Sequence, residues 1–216
     1  MAPSKLAMSA ALLSWVLAVP LWFVGKYVLV IAHEGGHALL AKLLFRKLHS
    51  IRFDRNGGGV TAPAAEVPWL FNILIFLAGY LGPSMFGLFG AWLLVRGQTT
   101  MVLWASMAFL VLMLFAVRGF LGWLTVPGLI VLLCLVTMRV DPPLQTLYTL
   151  MWVWFLLIGA VQRMLHFVLD RQYENGTNDS THLADLTLVP SAIWAFVFLA
   201  GTIGALAYGG AMLLRI

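Results

Sequence analysis

The chain has 216 residues, 62% of them hydrophobic and 10% charged, with a formal net charge of +5. A soluble domain is roughly 45–50% apolar and about 25% charged, so a soluble globular fold is excluded, as are disorder and collagen-like repeats. The single cysteine, Cys134, excludes a disulfide framework, and the 13 basic residues form no cluster with interleaved aromatics, which argues for a membrane protein and against a nucleic-acid binder.

A membrane-spanning helix needs roughly 20 apolar residues. Apolar runs predict spans near 6–24, 27–45, 68–95, 100–117, 120–138, 144–167 and 188–214. Only Gly25-Lys26 separates the first two, which form either two tightly turned spans or one long helix bent near Pro20. The expected fold is all-α: a polytopic transmembrane helical bundle of six or seven spans. Lys5 and the long apolar run after it, with no small-x-small cleavage site, read as an uncleaved anchor. Trp69, Trp92, Trp123 and Trp194 near span ends fit the aromatic belt of a bilayer interface.

Two polar intervals interrupt the apolar runs. Residues 46–67 carry Arg46, Lys47, Arg52, Asp54, Arg55, Gly57-Gly58-Gly59 and Glu66. The alternation from Ser50 to Asp54, then Asn56-Gly57 and Val60-Thr61, predicts a short membrane-associated β-hairpin. Residues 168–187 carry Asp170, Arg171, Glu174, Asp179, His182 and Asp185. With seven spans, nine basic residues collect on the side of both polar intervals and four on the other, so that side is expected to be cytoplasmic. Merging the first two spans moves Lys5 but leaves both intervals where they are. On that side the Asn175-Gly176-Thr177 and Asn178-Asp179-Ser180 sequons are not glycosylation acceptors. His166 and Asp170 share a helix face at a span end, where an interfacial role is expected.

The second span reads Ala32-His33-Glu34-Gly35-Gly36-His37-Ala38. His33 and His37 are four apart, hence one turn apart on one face, and can bind one metal ion. Glu34 beside them can take a proton from a metal-bound water and hand it to a leaving amine. By chance an H-E-x-x-H arises in roughly one such chain in several hundred. Two adjacent helix-interior glycines cost about 1 kcal/mol each relative to Ala, which suggests close approach by another backbone or a substrate. The alternatives are a polar interhelical network and a pair of haem ligands, although haem ligands come from opposite sides of the ring and fit one helix face poorly.

An H-E-x-x-H on a transmembrane helix resembles the site-2 protease family of intramembrane zinc metalloproteases. The flanking residues, the hairpin-like 50–61 and Gly79-Tyr80-Leu81-Gly82-Pro83 are similar to its compact, mostly bacterial branch lacking a PDZ domain. The likeness extends to Asn178-Asp179-Ser180, Leu183-Ala184, Leu186-Thr187, Pro190 and Trp194. The resemblance implies that His33 and His37 bind Zn2+ and that Glu34 is the general base. The family takes its third ligand from a later Asp, usually in an Asp-Gly pair, and no Asp here precedes Gly. Asp179, between small residues, is the expected third ligand, with Asp185 and His182 as alternatives. The family's oxyanion-stabilising Asn after Gly-Pro is replaced by Ser84-Met85-Phe86; Asn72 is either a substitute or a helix-packing residue.

The resemblance further implies a single integral membrane metalloprotease domain over 1–216, cutting membrane-spanning regulatory proteins in the bacterial cell membrane. The longest non-apolar interval is about twenty residues, too short for a separate peptide-binding domain. His37 lies eight residues before Phe45, about 12 Å from the cytoplasmic end of its helix at 1.5 Å per residue, and the interval with Asp179 enters from the same side. The Gly57-Gly58-Gly59 hairpin either presents an edge strand to an unwound substrate or is an ordinary turn. The rival functions are a divalent-metal binding or transport protein and a catalytically inactive scaffold of the same fold. The oligomeric state is open.

Overall fold

Pro20 decides how the chain enters the bundle. It has no N–H to donate and its ring blocks the preceding turn, so α1 (Pro3–Ala18) stops and α2 (Trp22–Leu43) restarts at an angle of 98°. In the computed structural model, which describes residues 3–46, 48–53, 59–63, 68–176 and 178–216, α1 lies along α6 (Pro142–Leu169). Ser14 Oγ donates to the Met151 carbonyl at 2.8 Å, and Ala18 packs with Leu29 and Phe155. By length and apolarity α1 and α2 qualify as a span only when the bent pair is taken together. Five further helices are long and apolar enough to span: α3 (Trp69–Val95), α4 (Thr99–Ala116), α5 (Phe120–Arg139), α6 and α8 (Ser191–Leu213). The count is five spans, or six with the bent pair taken as one, so the expected six is the upper figure and seven is not reached.

The expected hairpin is present: β1 (Leu48–Phe53) runs antiparallel to β2 (Gly59–Pro63), with Ile51 opposite Thr61 and Phe53 opposite Gly59. The sequence reading did not anticipate a third strand. β3 (Val117–Arg118) pairs in parallel with β1 to give the order β2-β1-β3. Two residues between two apolar helices carry no strand pattern, and Gly119 at φ +91° turns the chain into α5. Lys47, the stretch 54–58 on which the expected Asn56-Gly57 turn falls, and Glu66 lie outside the described residues.

α3 runs through the middle, against α2 on one side and α6 and α8 on the other. Its Gly87 and Gly90 sit against Leu157 and Val153 of α6. The α4–α5 pair is peripheral: 22% of each helix's span window is buried, against 50% for α6. An apolar cavity of about 330 Å³ lies between α4 and the α2, α3 and α6 helices, lined by Ile31, Phe86, Phe89, Phe109, Trp152 and Leu156 among others.

Candidate metal centre

Every residue of α2 from Leu29 to Ala38 is buried, including the three ionisable ones. Such groups inside a bilayer need partners, and α3 and the short helix α7 (Asp179–Thr187) supply them. Asp179 Oδ2 stands 3.4 Å from His33 Nε2 and 3.2 Å from His37 Nε2. Glu34, only 2% exposed, places Oε1 3.7 Å from His33 Nε2. His37 Nδ1 lies 2.7 Å from the Ile75 carbonyl, an acceptor only, so Nδ1 carries the hydrogen and Nε2 is left facing Asp179.

Asp179 is the first residue of α7, and both ends of that helix are tied down. At the start Asn178 accepts from the Ser180 and Thr181 backbone N–H groups while Thr181 Oγ1 accepts from the Asn178 N–H, a complete capping box. At the end Trp69 Nε1 donates to the Leu186 carbonyl at 2.7 Å and Trp194 Nε1 to Thr187 Oγ1 at 3.1 Å. Two of the four tryptophans read as belt residues thus also anchor the helix that carries Asp179. Burial works to raise the Asp179 carboxyl, while the charges of His37 and His33, when protonated, and of the Arg163 guanidinium lower it, the net direction being downward.

Glycine makes the approach of α3 possible. A Cβ at Gly79 would fall on the His37 ring and on Asp179 Oδ2. Gly36 meets the Ala78 backbone and Gly82, while Gly35 meets the Phe109 ring of α4. The costly glycine pair within the motif is explained by close approach, as its sequence suggests.

His33, His37 and Asp179 each offer one ligand atom, all within 4.8 Å of one another. Ligands around tetrahedral zinc at 2.0–2.2 Å stand about 3.3–3.6 Å apart, near the 3.4 and 3.2 Å of the two nitrogen–oxygen separations here. Two imidazoles and one carboxylate leave the fourth position for water or substrate, so the donor set fits a catalytic divalent metal. The two alternative ligands are elsewhere: Asp185 is exposed, and His182 is exposed and stacked on Phe76 at 4.9 Å. Asn72 sits half-buried in the first turn of α3. His166 stacks on Trp22 at 5.3 Å, away from the cluster.

Two residues of the site's wall escaped the sequence reading. Tyr80, 7% exposed, sets its ring 4.6 Å from that of His33 and packs on Phe167 and Phe198. Arg163 of α6 places its guanidinium 5.8 Å from the Tyr80 ring centre. A charged residue inside span α6 was the available signal, but in the sequence Arg163 served only to orient the chain.

Fold and site define a polytopic helical membrane protein with a buried His-Glu-His-Asp cluster where α2, α3 and α7 meet. The chain belongs to the Peptidase M50B-like family, whose model matches residues 6–209, and so to proteins of the intramembrane metalloprotease kind. No curated protein and no solved structure matches it.

Proposed function

We propose that this protein is a zinc-dependent intramembrane endopeptidase that hydrolyses peptide bonds of membrane-anchored, regulatory proteins. The observation that carries the reading is the arrival of Asp179, from a separate helix, between the Nε2 atoms of the two motif histidines. In this reading His33, His37 and Asp179 hold the metal, which when bound supplies Lewis-acid polarisation of water and of the scissile carbonyl. Glu34 accepts the proton of the attacking water and returns it to the leaving amine nitrogen, so that one peptide bond and one water are consumed. Burial of Glu34 keeps bulk water from competing for that proton. The domain is the whole of 1–216. The site opens toward the cytoplasmic side of a bacterial cell membrane, on the side that carries the excess of basic residues.

The test is metal analysis of the purified full-length protein together with cleavage of fluorescein-labelled casein, an unfolded chain standing in for an unwound substrate. Glu34→Gln should keep its zinc and lose about 10³-fold or more in kcat. Absence of bound metal from both proteins overturns the reading. Cleavage unchanged in Glu34→Gln removes its acid–base role, and metal flux across vesicles by that variant would favour a transporter.

A further inference from the structure

Two prolines lie inside helices, Pro83 in α3 and Pro127 in α5. A proline at position i withholds the N–H that would bond the carbonyl four residues earlier. For Pro127 that carbonyl belongs to Trp123, at the lipid-facing start of α5. For Pro83 it belongs to Gly79, where an added Cβ would fall on His37 and Asp179.

The helix register gives this carbonyl a use. α2 and α3 run antiparallel, with Ala32 at Gly82 and Gly36 at Ala78. His37 meets the Ile75 carbonyl; one turn back along α2 and one turn forward along α3 sets His33 against the Gly79 carbonyl. His33 Nδ1 is buried and closes no aligned hydrogen bond within the protein. A histidine that binds metal through Nε2 donates its other ring N–H to a carbonyl or carboxylate, which fixes the tautomer and the ring angle.

We propose that Pro83 is a positioning residue of the metal centre: by withholding its backbone N–H it keeps the Gly79 carbonyl open to accept from His33 Nδ1–H. The two metal-binding histidines are then oriented by two carbonyls one turn apart on α3, Ile75 for His37 and Gly79 for His33. This rests on the metal-site reading above and names a residue of the Gly-Pro stretch that does not touch the metal.

The test titrates the purified full-length protein, stripped of metal, with Zn2+ against a chromophoric chelator, and records the visible spectrum of its Co2+ form. Pro83→Ala restores the N–H that competes for the Gly79 carbonyl. It should weaken Zn2+ binding about 10–100-fold, the usual cost of losing an outer-shell partner, and shift the Co2+ bands. Pro83→Ser, with the same N–H and a different side chain, should do the same, whereas Pro127→Ala should stay within about threefold of the parent. Zn2+ affinity in both Pro83 variants within about threefold of the parent overturns the proposal. So does an equal loss in Pro127→Ala, which would mark a general effect of straightening a helix. A parent protein that binds neither Zn2+ nor Co2+ removes the metal-site reading itself, a distinct failure.

Discussion

The α2–α3 contact and the α4–α5 pair are built from similarly apolar stretches, yet they pack in opposite ways. Along α2–α3 the backbones touch through Gly36 and Gly82, Gly79 lies against the His37 ring, and the contact buries two histidines and a glutamate. The α4–α5 pair turns most of its surface outward, is joined to the sheet through β3, and borders an apolar cavity where it faces the other helices. Transmembrane helices gain nothing from hiding apolar surface among themselves, since lipid is equally apolar; close packing and polar contacts are what hold them. The difference teaches that glycine brings the inner helices together, along α2–α3 at the cluster as along α3–α6, whereas Gly128 of the α4–α5 pair meets nothing. Elsewhere lipid can complete the packing.

The contrast can be broken most sharply at the site. Asp179→Ala should lower bound zinc from near one per chain toward none, while Asp185→Ala, exposed on the same short helix, should retain it. Equal zinc content in the two variants by elemental analysis would remove Asp179 from the ligand set. Gly79→Ala should come next, because its methyl falls on His37 and Asp179. Loss of zinc with the helix content intact by circular dichroism is the expected result, and normal zinc binding would show that α3 can retreat.

A smaller effect is expected from Asn178→Ala, which opens the capping box of α7. Lost caps cost about 0.5–2 kcal/mol, and because Asp179 is the next residue the loss should appear as weaker zinc binding as well as a lower melting temperature. The smallest effect belongs to the peripheral pair. A methyl group at Gly128 in α5 would meet nothing within 4 Å, so Gly128→Ala should leave zinc unchanged and stabilise by about 0.5–1 kcal/mol. A loss of zinc there would mean that the two regions are coupled more closely than their packing suggests.

Much of this molecule is legible in the chain because its signals are local. The break at Pro20, the hairpin strands and the His33-Glu34-His37 face each depend on residues a few positions apart. The residue that joins the two histidines is not of this kind. Asp179, His182 and Asp185 lie within seven residues in one polar interval, and all can bind a metal. What separates them is the rotation of α7, set by the Asn178 cap and by Trp69 and Trp194, which turns Asp179 inward and leaves the other two exposed. Tyr80 and Arg163 were hidden for a related reason: α3 and α6 are apolar enough to span throughout, so periodicity does not single out the face that meets the motif.

By itself the sequence determined membrane residence, a polytopic helical bundle and the pairing of two histidines with a glutamate, since these follow from hydropathy and from about 3.6 residues per turn. Only the tertiary structure decided that α1 and α2 meet at a bend of 98°, that Asp179 completes the cluster, and that Gly79 lies against His37 and Asp179. Those contacts join residues far apart in the chain, and where helices are apolar on every side, only their packing decides which atoms meet.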